Sequence, residues 1–148
     1  KVIDNCPSGN FEEKADLSIQ TSMQAKDDVR SLLDAAKGNR LIDICLARSG
    51  DKGDTANIGV LARSQEAYDF LKEKLSAQWV KNHFSELCFG KVIRYEVENL
   101  LGFNFLLEES LGGGGTKTLR IDAQGKTFAQ ALLNQKMEIP ESVLNSVK

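Results

Sequence analysis

A chain of 148 residues, 41% hydrophobic and 27% charged, is sized for one globular domain with its own hydrophobic core. Its formal net charge of −2 excludes a general nucleic-acid binder, which needs a basic surplus to neutralise phosphates. No apolar run approaches the roughly 20 residues that a bilayer-spanning helix requires.

The three cysteines, Cys6, Cys45 and Cys88, are odd in number and scattered. A disulfide framework usually has an even set, and a zinc or iron–sulfur site needs clustered ligands, so these read as reduced thiols of a cytoplasmic protein. Lys1-Val2-Ile3-Asp4 carries no secretory leader, and with no initiator Met, residues upstream are expected.

Residues 5–10 form a turn cluster around Pro7 and Gly9, and Leu17 and Ile19 alternate with polar neighbours as in a short edge strand. Val29, Leu32, Leu33 and Ala36 then fall on one stripe of a helix over 24–37, which Lys37-Gly38 stops. Residues 1–40 therefore read as an N-terminal extension with one helix. From Leu41 the pattern becomes dense. An apolar strand at 41–47 leads through the polar stretch Arg48-Ser-Gly-Asp-Lys-Gly-Asp-Thr55 into a second strand at 56–63.

Ser64 offers a helix N-cap ahead of Ala67, Leu71 and Leu75, and Ser76 offers another ahead of Trp79, Val80, His83, Phe84 and Leu87. Residues 91–97 alternate as a strand and 102–107 return as its hairpin partner. After the tetraglycine Gly112–Gly115, Leu119 and Ile121 suggest a brief strand or extended arm. Gly125-Lys126 opens a helix with Phe128, Ala131 and Leu132 inward. Met137–Ile139 reads as an edge strand ended by Pro140, and 141–148 as a tail with a frayed helical turn.

From residue 56 the order is βαββαβ, an α+β, ferredoxin-like split βαβ sandwich. The strand at 41–47 is an extra leading element, and 41–140 form the domain.

The segments Ala47-Arg-Ser-Gly-Asp-Lys-Gly-Asp-Thr-Ala-Asn-Ile-Gly59, Asn104-Phe105, Leu111-Gly-Gly-Gly-Gly-Thr116 and Leu119-Arg-Ile-Asp-Ala-Gln-Gly-Lys126 together resemble the AtuA-like ferredoxin-fold family. The resemblance spans about residues 41–140, and residues 1–40 lie outside it. In that family the domain is the C-terminal part of acyclic terpene utilisation proteins or a small separate protein. The larger N-terminal domain of the longer members is absent from this sequence. The resemblance implies a setting in the breakdown of branched terpenoid or related acids as coenzyme A thioesters, and "ferredoxin" there describes shape only.

Two readings of the polar stretch stand side by side. As a binding site, its turns expose backbone N–H groups as an anion nest, with Arg48 and Lys52 supplying charge and Ser49, Thr55 and Asn57 further polar contacts. As structure, Ser49, Asp51 and Asp54 close turns on their own backbone. The glycine run offers Gly113, Gly114, Thr116 and Lys117 for a phosphate or thioester oxygen, or else is a flexible linker. Lys126 adds a third anion contact at a helix start.

If these segments converge, Arg48, Lys52, Lys117, Arg120 and Lys126 form a basic pocket. Asp51 and Asp54 are the candidate acid–base groups. Their spacing lacks a calcium-loop series and Lys52 opposes a cation, so no metal is assigned, and no cofactor is expected. Asn57 and Asn104 can orient a carbonyl or satisfy backbone groups. His83, the only histidine, sits four residues after Trp79 on an apolar helical face and reads as packing.

The sequence therefore points to an accessory or assembly domain that pairs with another copy or a larger AtuA-type subunit through its sheet edge or face. Its expected ligand is an anionic acyl-type molecule, with neither nucleic acid nor membrane as partner. The alternatives are an enzyme of the hydratase or lyase type acting on an acyl thioester, with Asp51 or Asp54 catalytic, or a purely structural domain.

Overall fold

In the computed structural model, residues 40–147 are described. The readings made for residues 1–39, including the helix over 24–37 and Cys6, fall outside them. A short 3-10 turn at Leu41–Asp43 leads into strands β1 (Cys45–Lys52) and β2 (Thr55–Ala62). Helices α1 (Gln65–Lys74) and α2 (Ala77–His83) follow, then strands β3 (Val92–Val97) and β4 (Gly102–Leu107), joined by a 3-10 turn at Glu98–Leu100. Helices α3 (Phe128–Leu133) and α4 (Glu141–Ser146) complete the described chain.

Local chemistry fixes these elements. Ser64 caps α1 by accepting from the Ala67 amide at 3.0 Å, and Ser76 caps α2 by accepting from Trp79 at 3.0 Å. Both caps match the sequence reading. Alternation along β2 and β4 sends Ala56, Ile58, Val60, Phe103, Phe105 and Leu107 to one face, where all are buried. Leu71 and Leu75 of the α1 segment, Val80 of α2 and Leu132 of α3 complete that layer. Tyr68 stacks on Phe103 with centroids 4.9 Å apart, and Phe84 on Phe128 at 5.0 Å, which ties the end of α2 to α3. A fully buried Phe or Leu in such a layer contributes about 1.5–3 kcal/mol.

The strands form one antiparallel sheet in the order β1-β2-β4-β3. Because β4 lies between β2 and β3, the β2-α1-β3 unit is a split βαβ, and the α+β ferredoxin-like class holds. The source of the fourth strand differs from the sequence reading. Met137–Ile139 does not form a strand, and Lys136 makes only an isolated bridge to Arg40. The place beside β2 belongs to β1, which reaches it through a two-residue hairpin, the shortest connection an antiparallel pair can have.

Two smaller corrections concern helices. Ala129 rather than Ala131 faces inward from α3, and α4 is docked rather than frayed. Val143 of α4 is buried and Ser146 Oγ lies 2.7 Å from Ser64 Oγ.

Candidate functional site

The polar stretch is a hairpin, not a loop. Arg48 pairs with Gly59, Gly50 with Asn57 and Lys52 with Thr55, so the strands continue through the polar residues to their tip. Gly53 occupies the first central turn position with φ +69°, the arrangement of a type II′ turn. Successive strand N–H groups point in opposite directions in the sheet plane, so residues 48–52 cannot converge their amides as a nest. That expectation fails for this physical reason.

The tetraglycine is not a linker. It folds against the hairpin tip, held by Asp54. The Asp54 carboxylate accepts from Gly113 N at 2.7 Å and Leu111 N at 3.2 Å. Its backbone oxygen accepts from Ser110 N at 3.0 Å and Leu111 N at 3.2 Å. Gly114, with φ +84°, packs so closely that a Cβ there would lie 2.7 Å from the Gly53 carbonyl oxygen. The close backbone approach that an ordered glycine run implies is therefore to this chain's own turn. Lys117 and Thr118 then donate to the Gly114 carbonyl, both at 2.9 Å, leaving Thr116 and Lys117 exposed.

The start of α3 is likewise satisfied from within. Asp122 accepts from the Lys126 and Thr127 amides at 2.8 Å each and from the Thr127 hydroxyl at 2.6 Å. Ser49 on β1 accepts from Ala129 N at 3.0 Å and donates to the Lys126 carbonyl at 3.1 Å. Burial raises the Asp122 pKa, but the Thr127 and Lys126 hydrogen bonds and the Lys126 charge outweigh it and hold the carboxyl below its ordinary value. The anion contact expected at this helix start is thus occupied by a carboxylate of the chain.

What the fold gathers on the side of the sheet away from the helices is different. Arg48, Gly50 and Lys52 face outward from β1, with Asn57 and Gly59 beside them on β2 and Asn104 on β4. Asn57 Nδ2 lies 3.5 Å from Asn104 Oδ1. A Cβ on Gly50 would meet Lys126 Nζ at 3.4 Å and Asn57 Oδ1 at 3.5 Å, so these groups share the space above Gly50. Arg48, Asn57 and Lys126 therefore reach one open face. Gly113 and Gly114 are bound to the hairpin tip, and Ser49 points to the helices.

Residues 39–138, about two thirds of the chain, match the family model described as the AtuA ferredoxin-like domain. The chain belongs to this family. No curated protein and no solved structure matches it. The match takes in all four strands, the glycine run and Asp122, while α4 of this AtuA ferredoxin-like domain lies beyond it.

The catalytic candidates of the AtuA ferredoxin-like domain are placed as follows. Asp54 spends its carboxylate on backbone amides. Asp51 lies opposite Ala56 on the helix-facing side of β1. His83 is packed between Trp79 and Phe84, with centroids 6.0 and 4.4 Å away, and its buried Nε2 has no partner among the described residues. Burial lowers its pKa, and the nearby Ala131 backbone opposes that shift.

Burial pushes the Cys45 thiol up to about 12 against the charge of Arg63, and raises that of Cys88 against Lys81. No group of three or more metal-binding side chains occurs among the described residues, and no described helix is long and apolar enough to cross a membrane.

Sequence reasoning missed Ser110, the one buried polar residue of the described core. Its hydroxyl accepts from Ala56 N at 3.0 Å and donates to the Leu107 carbonyl at 2.7 Å, joining the start of β2 to the end of β4. Nothing local marks it. Asp122 did carry a signal: an aspartate three residues before Gly125-Lys126 is placed to cap the helix that follows.

Proposed function

We propose that this domain is an accessory module that assembles with a neighbouring chain, either a second copy or a larger AtuA-type subunit, and holds an anionic acyl-type ligand. The observation that carries the assembly half is the arm after the glycine run. Leu119 and Ile121 are fully exposed, at 101% and 108%, while Arg120 between them donates to the Ser110 carbonyl at 2.6 Å. The anchor holds two aliphatic side chains out in water, which costs free energy that contact with a partner recovers.

The accessory character rests on the chemistry of the candidates: Asp54, Ser49 and Asp122 hold backbone groups, His83 is half-buried against aromatic rings, and both described thiols are buried. Light scattering on the full chain, alone and mixed with the larger subunit, tests the reading. A mass above the monomer for the chain alone, or above the larger subunit alone in the mixture, supports it; a monomer alone together with two unassociated species in the mixture contradicts it.

A further inference from the structure

The face of the sheet that no helix among the described residues covers carries a trough. Its walls are Leu46 and Leu61 on one side and Val97 and Leu100 on the other, and each of these side chains is at least 39% exposed. Its floor is Gly59, above which a side chain is missing, and Gly102, over which Leu61 leans with its Cδ2 where a Cβ would stand; the volume is about 200 Å³. At roughly 30 Å³ for a water-sized group, that space accepts a short aliphatic chain rather than a whole cofactor.

Arg48 closes one end of the trough. Among the described residues its guanidinium has neither ion pair nor hydrogen bond. Beyond it, Lys126 Nζ and the Asn57 amide sit above Gly50. The register puts Arg48 and Lys52 among the outward positions of the four strands and no aspartate or glutamate, in a chain whose net charge is −2.

A second copy placed face to face would oppose these cations to themselves. A ligand with an apolar tail and an anionic head matches both ends at once. The fork of an arginine suits a carboxylate, which it can bind through two parallel N–H donors.

From this we infer that the open sheet face is a binding site for an aliphatic carboxylate, its tail in the Gly59–Gly102 trough and its head on Arg48 with Asn57 and Lys126 alongside. This deepens the ligand half of the proposed function and is separable from the assembly half. Solution mass reports assembly, whereas backbone amide shifts report this site.

Gly59 supplies the test. A Cβ there would meet only the Arg48 carbonyl, at 3.9 Å, and its φ is not in the left-handed region. A β-branched residue suits a strand, so Gly59→Val fills the trough while leaving the fold in place. The full chain is titrated with octanoate and, separately, with octanol, following the amide resonances of Leu46, Leu61 and Gly102. Saturable octanoate shifts at these residues are expected, weakened at least tenfold in Gly59→Val and in Arg48→Gln, with octanol binding at least tenfold more weakly than octanoate.

Arg48 is exposed, so its variant keeps the test decisive if the valine disturbs folding. Absence of octanoate shifts, shifts elsewhere, equal binding by Arg48→Gln, or octanol binding as tight as octanoate overturns the inference.

Discussion

Replacing Gly114 by alanine tests whether the glycine run is locked to the hairpin. The residue holds φ +84°, and its added Cβ would lie 2.7 Å from the Gly53 oxygen and 3.0 Å from the Gly53 carbon. The left-handed conformation alone costs an alanine roughly 1–2 kcal/mol. The clash involves backbone rather than a flexible tip, and forced overpacking of this kind adds about 1–3 kcal/mol. Relief means moving the loop off the turn that Asp54 holds through Gly113 and Leu111.

The expected loss is therefore about 2–5 kcal/mol. Two neighbours separate the contributions. Gly53→Ala meets nothing within 4 Å but keeps a positive φ of +69°, and so isolates the conformational cost of about 1–2 kcal/mol. Gly115→Ala meets nothing and has no positive φ, so it stays within about 0.5 kcal/mol of wild type. Urea unfolding of the full chain, followed by the fluorescence of its single tryptophan, Trp79, measures all three. A Gly114→Ala chain as stable as Gly115→Ala would refute the lock.

Ser110→Ala strips the buried Ala56 amide of its acceptor and is expected to cost about 1–3 kcal/mol in the same unfolding assay. Asp54→Asn keeps an acceptor but loses its charge, so it should destabilise by about 1 kcal/mol. Faster hydrogen exchange at Gly113 would accompany it, and unchanged protection there would contradict the role given to Asp54. Asp122 has a folded pKa below its unfolded one, so its contribution is present above about pH 4 and is lost as pH falls through the folded value. The stability difference between wild type and Asp122→Asn should accordingly shrink on acidification, and a constant difference down to low pH would exclude this linkage.

The readable parts of the sequence were those governed by local rules. Ser64 and Ser76 cap their helices because a hydroxyl reaching an amide three residues on is a short-range event. The alternation in β2 and β4 was visible because one face is buried. In β1 the outward positions past Leu46 are Arg48, Gly50 and Lys52, so polarity concealed a strand that its pairing with β2 imposes.

Met137–Ile139 misled for the opposite reason: its pattern permits a strand, but β1 already holds that edge of β2. The site divides in the same way. Charge and glycine density marked the right stretches, yet the bonds that settle their roles join residues far apart, such as Asp54 to Gly113 and Ser49 to Ala129. Spacing along the chain carries no record of those contacts, nor of the trough whose floor Gly59 and Gly102 line from different strands.

Assembly through the Leu119–Ile121 arm is tested most directly by sedimentation of the full chain beside its Leu119→Ser/Ile121→Ser variant, each alone and with the larger subunit. Both positions are fully exposed, so the variant should keep the wild-type urea midpoint. Wild type is expected to form a homo-oligomer alone or a complex heavier than the larger subunit with it, and the variant to do neither. A wild-type chain that stays monomeric alone and does not co-sediment with the larger subunit, or a variant that assembles as well as wild type, would contradict assembly through this arm.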